Sequence, residues 1–448
     1  MGKSIVLSAK KAPAAFFEAI LQGESWQNRM EKHPAVHFST KTGWINDPNG
    51  LIFREGVYHL YYQYNPMNVS WNNMTWGHAE SRDLIHWQEK DAVLFPDEQG
   101  VMFSGSAILN TKGKMNLPED AIIYYYTTAG GISDWNEGKQ FVQSIAWSTD
   151  GGRTLEKREE VCIPTIHMEN RDPKVFYHEE SKSFVMTLWL KDADYGIFRS
   201  QDMEHWEMCQ QLTFPFTWEC PDLFQLTTPE GESCWFFWTA GGSCFAGDFD
   251  GYTFTPHGAE QKAYITKRSY AAQTWSNTGD RVISVPWLRL ENDGRNFTGA
   301  YGIPVEFSVK KTDKGYVLLQ NPVSELFANS NLITDLEDGT DKDAKGVRVE
   351  EALAAKVRLK GRSKKICRWN INDTSVSYDP ESGILQVEEE QFLVKKHSEN
   401  ILFLVDDIIL EIFFDDGEKA GAFQLKGRDV SFFTDHDDFD NIELYRIR

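Results

Sequence analysis

From about residue 40 onward, apolar positions fall in short aromatic and β-branched runs broken every few residues by Gly, Pro, Asn, Asp or Ser. They alternate rather than recur at helical spacing, so the pattern predicts strands joined by tight turns. The first 32 residues differ. Around Ala14 to Leu21 an apolar stretch is interrupted by Glu18, which predicts an amphipathic helix and a short N-terminal helical extension over 1–32. No small-residue cleavage site follows it, so it does not read as a signal peptide.

The strand runs repeat. Ser81-Arg-Asp-Leu-Ile-His-Trp87 and Ser200-Gln-Asp-Met-Glu-His-Trp206 are one phrase, with a looser copy at Ser148-Thr-Asp-Gly-Gly-Arg-Thr154. Each follows a strand-like segment. The unit starts also agree: a polar cluster leads into an apolar strand, a turn and a second strand. This holds at Asn46-Asp-Pro-Asn-Gly50, Arg171-Asp-Pro173 and Glu219-Cys-Pro-Asp222, and Ser104-Gly-Ser106 and Ser269-Tyr-Ala-Ala272 open two more units. Five units of roughly 50–60 residues, each a small antiparallel sheet, predict a five-bladed β-propeller over 33–330. A β-sandwich there would leave the repeated phrase unexplained. In a propeller the first strand of each blade lines the axis, which would bring Asp47, Asp172 and Glu219 face to face.

After about Pro322 the character changes. Polar residues from Asp335 to Lys345 read as a linker, and alternating strands resume over 346–448, predicting a second domain of sandwich type. The fold class is therefore all-β, a propeller followed by a C-terminal sandwich.

Composition narrows the function. The chain has 448 residues, with 46 basic against 67 acidic side chains and a formal charge of -21. No Lys/Arg run offers a face to a polyanion, so nucleic acid is not an expected partner. No apolar stretch approaches the roughly 20 residues of a membrane helix, so no membrane partner is expected either. Six cysteines without a C-x-x-C pair or regular spacing indicate neither a zinc site nor a disulfide framework, and point to reduced thiols and a cytoplasmic setting. No cofactor and no metal is called for, and self-association is left open. Aromatic residues make up 13% of the chain, including 15 tryptophans, which suits both strand cores and sugar-facing rings.

Cleaving a glycosidic bond takes one carboxylate to attack or stabilise the anomeric carbon and one carboxylic acid to protonate the leaving oxygen. Taken alone, Asp47-Pro-Asn-Gly reads as a turn, Arg171-Asp172 as a surface ion pair and Glu219 as a lone acid. Three such acids at equivalent unit starts are a different matter.

Trp44-Ile-Asn-Asp-Pro-Asn-Gly50, Phe103-Ser-Gly-Ser106, Arg171-Asp-Pro173 and Trp218-Glu-Cys-Pro-Asp222 together resemble the signature blocks of glycoside hydrolase family 32, which contains invertases, fructan hydrolases and sucrose-6-phosphate hydrolases. The likeness runs from about residue 33 to the end. It implies a retaining β-fructofuranosidase that releases fructose from terminal fructosides through a covalent fructosyl-enzyme. By match to the blocks, Asp47 would be nucleophile, Glu219 general acid/base and Asp172 a transition-state stabiliser. Asn46, Gln63, Trp71, Phe103, Ser104, Arg171, Tyr270 and Trp287 would line the fructose subsite. Glu219 would then be held protonated by burial beside Trp218, and Arg171 would keep Asp47 charged. Cys220 lacks a histidine to activate it and reads as a tuning residue rather than a nucleophile.

One departure bears on specificity. Family members often carry an acid just before the tyrosine of the fifth blade, where this chain has Lys267-Arg268-Ser269-Tyr270. Sucrose, sucrose 6-phosphate and fructans all remain open as substrates. A fructosyltransferase on the same site and a non-catalytic carbohydrate-binding propeller are the competing readings, and the intact set of acids argues against the second.

Overall fold

A computed structural model describes residues 32–337, 346–361, 364–435 and 439–448. The N-terminal helix expected within 1–32 lies outside them, except for Lys32. Strands account for nearly all the regular structure, in five antiparallel sheets followed by two six-stranded ones. The five are the propeller blades. Their first strands are Gly43–Arg54, Val101–Leu109, Arg171–His178, Asp222–Thr227 and Ser269–Thr274. The short strand Phe297–Thr298, which follows the second strand of blade 5, pairs in parallel with Gly43–Arg54 of blade 1. An Ile52–Ser276 bridge adds to it, and the ring is closed by backbone bonds between its first and last blades.

The repeated phrase has a local cause. In blade 1, Ser81 and Asp83 cap the turn between third and fourth strands: Asp83 Oδ1 accepts the Ile85 and His86 N–H groups, and Asp83 Oδ2 pairs with His86 Nδ1 at 2.7 Å. Ser200, Asp202 and His205 repeat these contacts in blade 3. In blade 2, Ser148, Asp150 and Thr154 make the looser version. The phrase is thus an Asp-capped turn that satisfies backbone donors a sheet ladder leaves over.

Neighbouring blades pack through aromatic faces. Tyr61, Trp76, Tyr124 and Tyr126 fill the space between blades 1 and 2, and Tyr195, Phe214, Phe237 and Phe254 that between blades 3 and 4. Along the axis the filling turns polar. Lys174 Nζ reaches from blade 3 to Thr274 Oγ1 at 2.9 Å and to Asp222 Oδ2 at 3.2 Å, and Ser106 joins blade 2 to the backbone of blade 3. These bonds knit the first strands of blades 2, 3, 4 and 5 together just beyond the acids.

The two six-stranded sheets enclose their own core around Trp369, Phe403, Tyr378 and Phe432. This sandwich starts earlier than the sequence suggests. Ser330–Glu337 pairs with Phe439–Ile447 at one sheet edge, so the sandwich takes in Ser330, read as the end of the propeller, and the first three residues of the stretch read as a linker. An edge strand needs only one apolar face and tolerates charge, so a polar run in the sequence need not be a loop.

A buried joint holds sandwich to propeller. Asp406 accepts the N–H groups of Ala35, Val36 and His37 at 2.7–3.0 Å. His37 is clamped between Asp406 (3.0 Å) and Glu411 (2.9 Å), and Glu411 also accepts Ile303 N–H. Arg295 pairs with Asp407 beside them at 2.5 Å.

Candidate active site

A cavity of about 340 Å³ opens at one end of the propeller axis. All eleven residues singled out from the sequence line it: Asn46, Asp47, Gln63, Trp71, Phe103, Ser104, Arg171, Asp172, Glu219, Tyr270 and Trp287. Ile132, Phe141, Glu169 and Arg289 line it as well, and none of these four carries a motif of its own.

The acids come from three blades. Asp47 lies in the first strand of blade 1, where Ser104 Oγ donates to Oδ2 at 2.7 Å and Asn46 Nδ2 to Oδ1 at 3.1 Å. Asp172 lies at the start of blade 3, fully buried, and accepts the Cys220 N–H at 3.1 Å. Glu219 precedes the first strand of blade 4, between Arg171, which donates to Oε1, and the Tyr270 hydroxyl, which donates to Oε2 at 2.5 Å. The Cys220 thiol stands between two acids, 3.7 Å from Asp47 Oδ2 and 3.5 Å from Asp172 Oδ2. Burial and the surrounding carboxylates push it well above the usual thiol range, so it serves as a neutral donor rather than a nucleophile.

Backbone strain collects here. Asp172, Glu219, Cys220 and Ala271 have φ of +66°, +53°, +43° and +52°, a region that costs a non-glycine residue energy and recurs at functional sites. Turning these residues out of the pleat lets their groups meet at the blade mouths.

The electrostatics differ from the sequence expectation in two respects. Trp218 does not shield Glu219, being 55% exposed itself. Arg171 supports Glu219 rather than Asp47. Burial alone would raise Glu219, yet the Arg171 charge and the bonds from Tyr270 and Arg171 outweigh it and hold the carboxyl below its ordinary value. Asp47 is raised, chiefly by burial, with the Ser104 bond opposing and the Glu219 charge adding to the rise. Asp172 is raised to about 7 by burial and by repulsion from Asp47 and Glu219, against the pull of Arg171. Before any sugar enters, therefore, Glu219 is biased towards its ionised form, whereas Asp47 and Asp172 are biased towards their protonated forms.

The walls are aromatic. Trp71, 45% exposed, meets Phe103 edge-on at 6.0 Å, and Trp287 meets Trp44 at 5.8 Å. Arg171 lies over the Trp189 ring at 4.1 Å and Arg289 over Tyr270 at 3.4 Å, so each guanidinium group is seated on an aromatic ring. A polar floor under a partly apolar wall is what a small polyhydroxylated ligand requires.

Comparison with known proteins agrees. Residues 37–322 match the model of the glycosyl hydrolases family 32 N-terminal domain. A levanase of Bacillus subtilis is 36% identical over 326 residues, which span 65% of this chain and 47% of that protein. An extracellular exo-inulinase of Meyerozyma guilliermondii is 30% identical over 449 residues, or 91% of this chain and 82% of that one. The chain thus spans about half the length of the levanase and most of the exo-inulinase. In fold, the exo-inulinase of Aspergillus awamori superposes with a TM-score of 0.81 at 22% identity, over 93% of this chain and 98% of that one. The sucrose-6-phosphate hydrolase of Lactobacillus gasseri gives 0.79 at 19% identity, over 96% of each.

Proposed function

The chain belongs to glycosyl hydrolase family 32, and from that premise we propose that it is a retaining β-fructofuranosidase, cleaving terminal fructose from sucrose, sucrose 6-phosphate or a fructan. The observation that carries this is the meeting of three acids from three blades, Asp47, Asp172 and Glu219, in one cavity with aromatic walls. A retaining enzyme needs two carboxyl groups about 5–5.5 Å apart on opposite faces of the scissile bond. Relatives named levanase, exo-inulinase and invertase support the fructoside class.

In this reading Asp47 attacks the anomeric carbon of fructose while Glu219 gives its proton to the leaving oxygen. Glu219 then takes a proton from water, which displaces Asp47 and frees fructose. One proton shared by the pair suffices for a turnover, and in the free site Glu219 is held below its ordinary value, so it must gain that proton before it can act as the acid. Fructose hydroxyls competing for Arg171 and Tyr270 would loosen the bonds that hold Glu219 ionised, letting the proton settle there. Asp172, braced by Cys220, would accept hydrogen bonds from fructose hydroxyls that strengthen in the transition state. Cytoplasmic placement is part of the proposal; its support is that Cys162, Cys209, Cys220, Cys234 and Cys244 stand as free thiols.

A fructose-release assay over sucrose, sucrose 6-phosphate, inulin and levan tests the reading, run beside Asp47→Asn and Glu219→Gln. The parent should release fructose from at least one, and both variants should lose nearly all turnover on it. Near-parental rates in either variant would reject the assigned roles.

A further inference from the structure

Among the described residues, Arg289 is the one cavity-lining cation without an acidic partner. Arg171 is occupied by Glu219 and Glu169. Among the described residues the Arg289 guanidinium has neither an ion-pair partner nor a hydrogen-bond acceptor, and its Nε is buried without one. It is nonetheless fixed in place. The group lies 3.4 Å over Tyr270 and 5.3 Å from the Trp287 ring centre, and the Arg289 carbonyl accepts Arg268 Nη1 at 2.9 Å. Leaving an oriented, unpaired set of donors facing a cavity is costly unless a ligand completes it.

Its position indicates which part of the ligand. Tyr270, beneath Arg289, donates to Glu219 Oε2, and Glu219 is the acid that in the reading above protonates the leaving oxygen. Arg289 therefore stands at the edge of the subsite that Tyr270 and Trp287 line, on the side where Glu219 meets the leaving group. The basic pair noted in the sequence acts through it: Arg268 is absent from the cavity lining and turns toward the sandwich, to Gln424 Oε1 at 3.4 Å, while bracing the Arg289 backbone.

We propose that Arg289 is the specificity-determining residue of this site and that its guanidinium receives an anionic oxygen group, phosphate or carboxylate, on the leaving sugar. The proposal rests on the fructosidase reading. A planar fork is suited to two oxygens of one anion, and stacking on Tyr270 spares it the entropy of being ordered on binding. A neutral chain such as inulin or levan would satisfy only part of the fork.

The test compares kcat/KM for sucrose 6-phosphate, for sucrose with a glucuronate in place of glucose, and for sucrose itself, in the parent, Arg289→Gln and Arg289→Lys. The parent should favour one or both anionic substrates, the better of them telling phosphate from carboxylate. Arg289→Gln should cut that preference, read as the ratio of kcat/KM for the anionic substrate to kcat/KM for sucrose in each enzyme, about tenfold to a hundredfold. Arg289→Lys should keep part of it, as a point charge without the fork. Calorimetric binding of glucose 6-phosphate against glucose gives a readout free of turnover, and should weaken by a similar factor in Arg289→Gln. A parent that prefers neutral substrates, or an Arg289→Gln that lowers all substrates alike, overturns the proposal. If no fructoside is cleaved, the fructosidase reading fails, while the glucose 6-phosphate binding comparison still decides the role of Arg289.

Discussion

Two clusters of buried acids share this molecule, one at the propeller mouth and one at the joint with the sandwich, and they are built to opposite ends. At the joint, Asp406 receives three backbone N–H groups and His37, Asp407 receives Arg295, and Glu411 receives His37 and Ile303. Burial pulls the His37 imidazole down, but its two carboxylate partners outweigh that and hold it at about 9. Asp406 is depressed despite burial, first by its bond to His37. At the mouth, Arg171 is engaged by Glu219 and Arg289 pairs with no acid among the described residues, and Asp47 and Asp172 are raised. Compensated acids hold a structure together, whereas acids left in mutual repulsion keep protons mobile near neutral pH.

Breaking each cluster should therefore have different consequences. The largest effect is expected at Asp47: Asp47→Asn should lower kcat by about 10⁴-fold or more on any cleaved fructoside, and Glu219→Gln by about 10²–10⁴-fold. Stopped assays with the purified variants measure both.

Next comes the joint. His37→Gln leaves two buried carboxylates short of their cation and should cost about 3–5 kcal/mol in urea unfolding near pH 6. The His37 contribution belongs to a group whose folded value, about 9, lies above its unfolded value of 6.5. It is fully present below pH 6.5 and is lost as pH rises through 9, so parent and variant should converge at alkaline pH.

Asp172 should behave in the opposite sense. Its folded value, about 7, lies above the unfolded 3.8, so the folded state binds more protons between these values and stability falls as pH rises through that window. Asp172→Asn should lose activity and yet melt a few degrees higher than the parent above pH 7, a gain that fades toward pH 4. Equal melting curves at pH 8 would show that Asp172 carries no such penalty.

The smallest expected change is at Tyr270. Tyr270→Phe removes one of the bonds that hold Glu219 below its ordinary range, so the alkaline limb of kcat/KM, set by loss of the Glu219 proton, should move to higher pH. A shift in the other direction would contradict the charge balance described here.

Much of this was legible in the sequence, for physical reasons. The blade repeat shows because an Asp-capped turn needs the same few side chains each time. The site residues show because first strands must start at the axis, which converts distant motifs such as Asp47-Pro-Asn and Trp218-Glu-Cys into neighbours. Arg289 was not visible. It follows Trp287 by two positions without a motif of its own, and only the pairing of Ser269 with Leu288 and Tyr270 with Trp287 sets it over Tyr270. The proton arrangement was not legible, because the sequence does not say which acid the long Arg171 side chain reaches; it meets Glu219, where Glu219 and Cys220 take left-handed φ, and not Asp47. The joint was hidden for a related cause: His37 and Asp406 are 369 positions apart, and neither stands out alone.

The central claim is that Asp47 attacks sugar carbon while Glu219 supplies and removes the proton. Quenching Glu219→Gln during turnover of a fructoside with an activated leaving group, then weighing the intact chain and mapping its peptides, tests this most directly. The account predicts one fructosyl group per chain, on the peptide that contains Asp47 and absent from Asp47→Asn. An adduct on another acid, or rapid turnover with none at any quench time, would contradict it.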